Sequence, residues 1–198
     1  MVRPRADNYE QRRAEILDAA AEMFAEKGFD GASLFQIARK CGVSKALVYH
    51  YYQSKEALLY SMLSAHCNLL VETANQAVTT CTEPEAKLKA LIRQLMGLYM
   101  RSRNVHVTLL NSLHVLSPEE QNEIKTLEKE VVKTIQDILQ ELKPGLSSHT
   151  RTSLSMYLMG AINWTYTWFR AEGPISHLDY ADLATSAFLH GIHSQELN

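Results

Sequence analysis

The sequence has few cysteines and no long apolar run. The 198-residue chain contains only Cys41, Cys67 and Cys81, whose spacing forms no paired motif. This pattern argues against a disulfide scaffold and for a reducing compartment. No apolar run approaches the ~20 residues that a membrane-spanning helix needs, and the N-terminus lacks the apolar region of a signal peptide. We therefore expect a cytoplasmic protein with no membrane partner.

The sequence also lacks the usual signatures of catalysis and metal binding. It contains no Gly-rich phosphate loop, no GxSxG and no HExxH. His190 and His193 are three residues apart, a spacing that a metal accepts, but no cysteine or carboxylate is placed to complete a ligand set. We expect no enzyme, no catalytic residue, no metal site and no cofactor.

What the sequence does contain is helical periodicity along most of its length. Hydrophobic residues make up 46% and charged residues 21% of the chain, which is typical of a soluble globular protein. We find no strand-period alternation, no internal repeat and no low-complexity tract. The apolar spacing predicts an all-α fold of about nine helices. Their predicted ranges are 9–27, 34–40, 45–52, 54–80, 84–103, 105–116, 118–142, 148–171 and 179–194.

The segment from Ser33 to Lys55 has the pattern of a helix-turn-helix. Ser33 is a suitable N-cap, and Gln36 three residues later completes a capping-box spacing. Gly42 predicts a tight turn after the first short helix, and Ser44 caps the second. Two short helices joined in this way place the second one in the DNA major groove. The alternative is an ordinary helical hairpin.

Charge favours the DNA-binding interpretation. The segment from Ser33 to Lys55 has four basic residues and no Asp or Glu, a balance that a phosphate backbone attracts. Residues 1–55 hold nine Lys or Arg against seven Asp or Glu, whereas residues 56–198 hold eleven against fifteen. Residues 1–8 form a basic arm, which either contacts DNA or is a solvated tail. The asymmetry predicts one end that faces DNA and a body that does not.

The N-terminal part resembles the DNA-binding domain of the TetR family of bacterial regulators. The residues that carry the resemblance are Gly28-Phe29, Gly31, Ser33, Ile37-Ala38, Gly42-Val43-Ser44, Leu47, Tyr49, Tyr51-Tyr52 and Ser54 to Leu59. The resemblance implies a DNA-binding domain over residues 1–53 and a helical ligand-binding and dimerisation domain over residues 54–198.

The same resemblance implies a set of DNA-binding residues. Lys45, Ala46, Leu47, Tyr49 and Tyr51 would face the DNA, with Ser33 and Lys55 on phosphates. Phe35 departs from the family, which often carries a polar or basic residue there. Two interpretations of Phe35 stay open, since it could pack on a thymine methyl group or cover the helix pair.

The last two predicted helices have the pattern of a subunit interface. The first is apolar on more than one face, and the second carries small residues at helical spacing around one aromatic ring. In the TetR family such helices form a four-helix dimer interface, so we expect a homodimer. The predicted interface residues are Tyr157, Ala184, Ala187, Phe188 and Gly191. Ordinary packing within one chain is the alternative.

The stretch from Met159 to Ser176 resembles a TetR branch that senses CoA thioesters. Aromatic rings and Met side chains suit an acyl or aryl group, and an Arg fork suits a phosphate or carboxylate. The expected acyl-group contacts are Met96, Tyr99, Leu109, Asn163 and Trp164, and the expected CoA contacts are Trp168, Phe169 and Arg170. The alternative places the tryptophans in the core and the arginine on the surface.

Together these features predict a ligand-responsive repressor. It would bind a palindromic double-stranded DNA operator as a dimer and be released by a small-molecule effector, an acyl- or aryl-CoA thioester. A TetR-type regulator of an efflux or stress operon, sensing a hydrophobic drug-like ligand, is the alternative. A ligand-independent architectural DNA-binding protein should be more basic than this chain.

Overall fold

The computed structural model describes residues 4–194, with side chains described from Tyr9 onward. This part of the chain is all-α, as the periodicity predicts. The helices are α1 (Pro4–Gly31), α2 (Leu34–Lys40), α3 (Lys45–Tyr51), α4 (Lys55–Thr79), α5 (Pro84–Arg101), α6 (Arg103–Ser112), α7 (Pro118–Leu142), α8 (Ser148–Asn163), α9 (Thr165–Trp168) and α10 (His177–Ser194), with a 3₁₀ turn over Leu113–Val115. Because the single turn α9 follows α8 after one residue, these segments correspond to the nine predicted helices.

Several helix ends differ from the prediction, and three of these differences affect predicted features. The first helix begins at Pro4, so residues 4–8 of the predicted basic arm are helical, whereas Arg3 and the side chain of Arg5 lie outside the described residues. The last helix begins at His177, because the Ser176 hydroxyl caps it by accepting from the Asp179 N–H at 3.1 Å. The predicted helix over 148–171 instead breaks after Asn163.

Two glycines interrupt the helical backbone at positions that the sequence predicts. Gly28 has φ 72° and interrupts α1, and Gly42 has φ 66° in the turn between α2 and α3. Residues with a Cβ rarely adopt such angles. The capping box is also present, since the Gln36 N–H donates to Ser33 Oγ at 3.3 Å and the Ser33 N–H donates to Gln36 Oε1 at 3.0 Å.

The chain divides into two compact units. The first contains the described residues up to His66 together with Asn104–Ile124, and the second contains Cys67–Arg103 with the described residues from Lys125 onward. In the first unit α2 packs on α1 and α3, and in the second α10 packs on α5 and α8. The domain boundary that the resemblance implies, between residues 53 and 54, stays a prediction.

Each unit has its own apolar interior. Ile16, Ile37, Val48 and Leu58 are fully buried in the first unit, and the α5 residues Leu88, Leu91, Ile92 and Leu95 are fully buried in the second. The three cysteines are free thiols. No helix within the described residues is long and apolar enough to cross a bilayer.

Candidate DNA-binding surface and effector-binding residues

The short helix α3 separates a buried side from an exposed side. Val48 is fully buried against the rest of the first unit, which fixes the helix in place. Lys45, Ala46 and Tyr49 are exposed, as predicted for residues that reach DNA, whereas Leu47 is half-buried. The result is a short helix whose outer surface carries one cation and one phenol ring.

The exposed cation and ring are in contact with each other. Lys45 Nζ lies 5.4 Å from the centroid of the Tyr49 ring, within the range of a cation–π interaction. This contact restricts both side chains before any DNA is bound. Less conformational entropy then has to be lost when they reach a base or a phosphate.

Tyr51 and Lys55 have contacts within the first unit that the sequence did not indicate. The Tyr51 ring lies 4.7 Å from the Tyr9 ring of α1 and is half-buried. Lys55 Nζ donates to the carbonyl oxygens of Phe29 at 2.7 Å and Ala32 at 2.9 Å. These bonds tie the end of α1 to the start of α4, so Lys55 has a structural role whether or not it also binds a phosphate. Its predicted phosphate contact, like that of the capping residue Ser33, stays a prediction.

A surface groove of about 390 Å³ runs beside α3. Its lining residues are Ala32, Ser33, Leu34, Phe35, Lys45, Tyr49, Gln53, Ser54, Lys55 and Glu56. Five of the predicted DNA-binding residues therefore line one groove. Gln53, whose amide can both donate and accept hydrogen bonds, was missed by the sequence reasoning because it follows α3 rather than lying within it.

We expect Lys45→Ala to weaken specific DNA binding by about 1–3 kcal/mol, the range for loss of a side chain that reads a guanine. Lys40→Ala is the matched control, because Lys40 Nζ already pairs with the Glu22 carboxylate at 2.5 Å. Fluorescence anisotropy on operator and on unrelated duplexes would measure the effect. If the wild type and Lys45→Ala bind the operator equally well, Lys45 is not one of the DNA-binding residues.

The predicted effector-binding residues occupy different environments. Met96, Tyr99 and Phe169 are buried in the second unit, and Asn163 is half-buried there. Trp164 is 63% and Trp168 48% exposed, and Arg170 is exposed as well. Leu109 is buried in the first unit. Whether these eight residues line one cavity stays a prediction.

Polar groups lie among the buried side chains of the second unit. The Asn163 side-chain oxygen is buried and, among the described residues, has no hydrogen-bond donor. Burial raises the pKa of the Cys67 thiol to about 12, and the nearby Glu128 carboxyl, whose own pKa is raised by burial, adds to that effect. Burial likewise raises the pKa of Tyr99, with a smaller contribution from Glu128. Sequence reasoning missed Cys67 and Glu128, since neither lies in a recognisable motif.

The first unit buries a pair of histidines. His66 Nε2 lies 3.3 Å from His106 Nδ1, and the two residues are 5% and 4% exposed. Burial lowers the pKa of His66 to about 4, so its imidazole is neutral at pH 7. The two other histidines considered above have ordinary surface contacts: His193 pairs with Glu85 at 3.1 Å, and His190 Nδ1 donates to the Ser186 carbonyl at 2.7 Å.

An exposed apolar stripe runs along α8. Met156 is 55%, Tyr157 69% and Trp164 63% exposed, with the exposed Gly160 between them. On the neighbouring helix α10, Leu183 is 57% exposed, and Ala187 and Gly191 are exposed at the same helical spacing. We call these seven residues the α8–α10 face. Phe188, predicted as an interface residue, is only 4% exposed, because it packs inside its own unit.

The first unit contains a helix-turn-helix whose second helix, α3, is exposed on one side and has no Asp or Glu. This arrangement defines a DNA-binding regulator. Comparison with known proteins makes the assignment specific. Residues 16–62 match the family model of bacterial regulatory proteins of the tetR family, and residues 81–192 match the model of the tetracyclin repressor-like C-terminal domain. The chain belongs to the TetR family and is a transcriptional regulator rather than an enzyme.

Solved structures and curated relatives agree with this assignment. A TetR-family transcriptional regulator from Bordetella parapertussis 12822 is 32% identical, with a TM-score of 0.87 over 94% of this chain and 98% of the other. AibR, solved in complex with isovaleryl coenzyme A and operator DNA, is 26% identical, with a TM-score of 0.76 over 89% and 97% of the two chains. The transcriptional activator FasR of Mycolicibacterium smegmatis is 24% identical over 84% of this chain and 76% of its own length.

Proposed function

We propose that the protein is a transcriptional repressor that binds a palindromic operator as a homodimer and is released by an acyl- or aryl-CoA thioester. The observation that carries the DNA-binding part is the exposed face of α3, where Lys45 and Tyr49 lie beside a groove and no acidic residue occurs between Ser33 and Lys55. A duplex binds such a surface through its phosphates and through base edges in the major groove.

The homodimer part is supported by the α8–α10 face. Contiguous exposed apolar surface on a soluble protein marks an interaction site, and two copies of this face would bury their aromatic and Met side chains against each other. A two-fold dimer reads two half-sites about one helical turn, ~34–36 Å, apart. Footprinting would show a palindromic protected region with that spacing between the half-site centres.

The effector part is supported by the interior of the second unit. Met96 and Tyr99 supply apolar and aromatic surface, and a buried oxygen without a donor, like that of Asn163, costs about 1–3 kcal/mol. In a CoA thioester an amide N–H of the pantetheine arm would remove that cost by donating to this oxygen, because the acyl group itself has no hydrogen-bond donor. The relative AibR has been crystallised with a CoA thioester, which makes this ligand class the first to test.

Release from DNA would be transmitted through α4. This helix starts at Lys55, a short turn after α3 ends at Tyr51, and extends to Thr79, with its first part in one unit and its last part in the other. A change in α4 would alter the distance between the two recognition helices, one α3 from each subunit, in a dimer. The effector has to bind the DNA-incompetent form more tightly, because equal affinity for both forms shifts no equilibrium.

We expect CoA thioesters to stabilise the purified protein and the matching free acids to have little effect. A ligand at 100 times its Kd adds about 2.7 kcal/mol to the free energy of unfolding. A thermal-shift panel that pairs each acid with its thioester would measure this difference, and native mass spectrometry would report the subunit count and any co-purified ligand. The thioester that stabilises the protein should also lower its affinity for the operator.

Asn163→Ala should reduce that stabilisation, whereas the control Asn75→Ala, at an exposed position of α4, should not. Arg170→Ala should reduce the difference between thioester and free acid. Equal stabilisation by acids and thioesters would contradict the CoA assignment. Stabilisation by uncharged hydrophobic compounds instead would favour the second candidate, a regulator of an efflux or stress operon that responds to a drug-like ligand.

A further inference from the structure

Phe35 occupies an unusual position for a large apolar side chain. It is the second residue of α2 and is 60% exposed, while Leu34, Ile37 and Ala38 on the same helix are buried. The buried residues already cover the contact between α2 and its neighbours. Phe35 therefore does not cover the helix pair, and the packing of the first unit gives no reason for an aromatic ring at this position.

The exposed ring of Phe35 shares its groove with a second exposed ring. Tyr49, on α3, is 45% exposed, and both residues line the groove of about 390 Å³ beside α3. Lys45 lines the same groove, and its ammonium lies over the Tyr49 ring. Glu56, at the start of α4, is the only carboxylate in the lining. The groove thus combines two exposed aromatic rings with two lysines, Lys45 and Lys55, on the surface from which the family reads DNA.

The chemistry of the major groove limits what such rings can recognise. The edges of the four bases present hydrogen-bond donors and acceptors there, and the one apolar group among them is the 5-methyl of thymine. A phenyl ring has no donor or acceptor, so Phe35 cannot read guanine, cytosine or adenine by hydrogen bonding. It can discriminate only by contact with an apolar group.

We propose that Phe35, together with Tyr49, reads the 5-methyl groups of thymines in each operator half-site. The proposal rests on the proposed function, because it assigns a base preference to the same DNA-binding surface. The proposal predicts that each half-site contains a thymine whose methyl group contributes to the affinity of the protein for the operator. Contacts of the same rings with deoxyribose would add affinity without any base preference.

The test uses an operator selected from a random duplex pool with the full-length protein. Each thymine is then replaced by deoxyuridine, symmetrically in both half-sites, which removes the methyl group and keeps the base pair. Loss of one buried methyl corresponds to about a fourfold loss of affinity, so we expect about a 15-fold loss at the symmetric pair that Phe35 reads. Replacing thymines in the flanking DNA should have no effect.

Phe35→Ala should abolish this sensitivity, binding the thymine and deoxyuridine operators within about twofold of each other. The high exposure of the Phe35 side chain means that this variant should fold normally, which circular dichroism would verify. Phe35→Leu, which keeps an apolar side chain, should retain part of the discrimination, and Tyr49→Phe should retain it all.

Two results would overturn the proposal. One is equal binding of the wild type to the thymine and deoxyuridine operators at every position, and the other is an unchanged deoxyuridine penalty in Phe35→Ala. Both leave the regulator assignment intact, because the protein would still bind its selected operator specifically. Failure of the selection to yield any specific sequence would instead count against the proposed function itself.

Discussion

Tyr157→Glu is expected to leave the protein folded but monomeric and to lower its operator affinity at least ~100-fold. Linking two binding modules raises affinity by about 10²–10⁴ over a single one, and a monomer loses that gain. The Tyr157 side chain is 69% exposed, so a carboxylate there stays hydrated in the monomer. In a dimer it would be buried against an apolar surface without a partner, which is strongly unfavourable.

Leu183→Glu should have the same effect from the second helix of the α8–α10 face, where Leu183 is 57% exposed. Phe188→Glu is a poorer test, because Phe188 packs inside its own unit and a carboxylate there would disrupt folding as well. The matched control is Leu69→Glu, an exposed apolar residue of α4 outside this face.

Analytical ultracentrifugation and operator titration would be read together. We expect the wild type and Leu69→Glu to sediment as dimers and to bind the operator equally well. A wild type that is monomeric at micromolar concentration would contradict the dimer proposal. If Tyr157→Glu and Leu183→Glu both remain dimers and bind the operator with wild-type affinity, a different surface pairs the subunits.

The second large effect is expected from pH. Acidification should destabilise the protein through His66, whose pKa burial lowers to about 4. In the unfolded chain a histidine has a pKa of about 6.5. Below that pH the unfolded state binds a proton that the folded protein does not accept until about pH 4. Stability contributed by the neutral His66 is therefore full at neutral pH and is lost as the pH falls from about 6.5 to about 4.

The expected size of the loss follows from the two pKa values. Each pKa unit corresponds to about 1.4 kcal/mol, so the free energy of unfolding should fall by about 3 kcal/mol across this range from His66 alone.

His66→Gln removes the titrating group and keeps a side chain that can hydrogen-bond to His106. Urea unfolding between about pH 7.5 and about pH 4.5 should show a shallower pH dependence for this variant than for the wild type. His114→Gln, at an exposed position, is the control and should keep the wild-type slope. Parallel pH profiles for the wild type and His66→Gln would contradict a buried neutral His66.

Local sequence patterns determined the features that depend on a few neighbouring residues. The cap at Ser33 and the turn at Gly42 were predicted correctly. The Ser33 side-chain oxygen bonds to an N–H of the same helical turn, and the positive φ of Gly42 turns the chain just after α2, so each depends only on close neighbours in the sequence. The all-α class followed from apolar periodicity. The exposed position of Lys45 and Tyr49 followed from the family pattern carried over residue by residue.

The tertiary structure alone decided which residues meet across the chain. Helical spacing placed Phe188 on an outer seam, but the packing of α10 on α5 and α8 turns it inward and leaves Leu183 outside. Lys55 binds carbonyls 23 and 26 residues away, and His66 meets His106 across 40 residues. A periodic sequence shows that a helix has an apolar side and a polar side. Which of several apolar stripes is buried depends on the neighbouring helices, whose positions are set by long-range packing that no local pattern encodes.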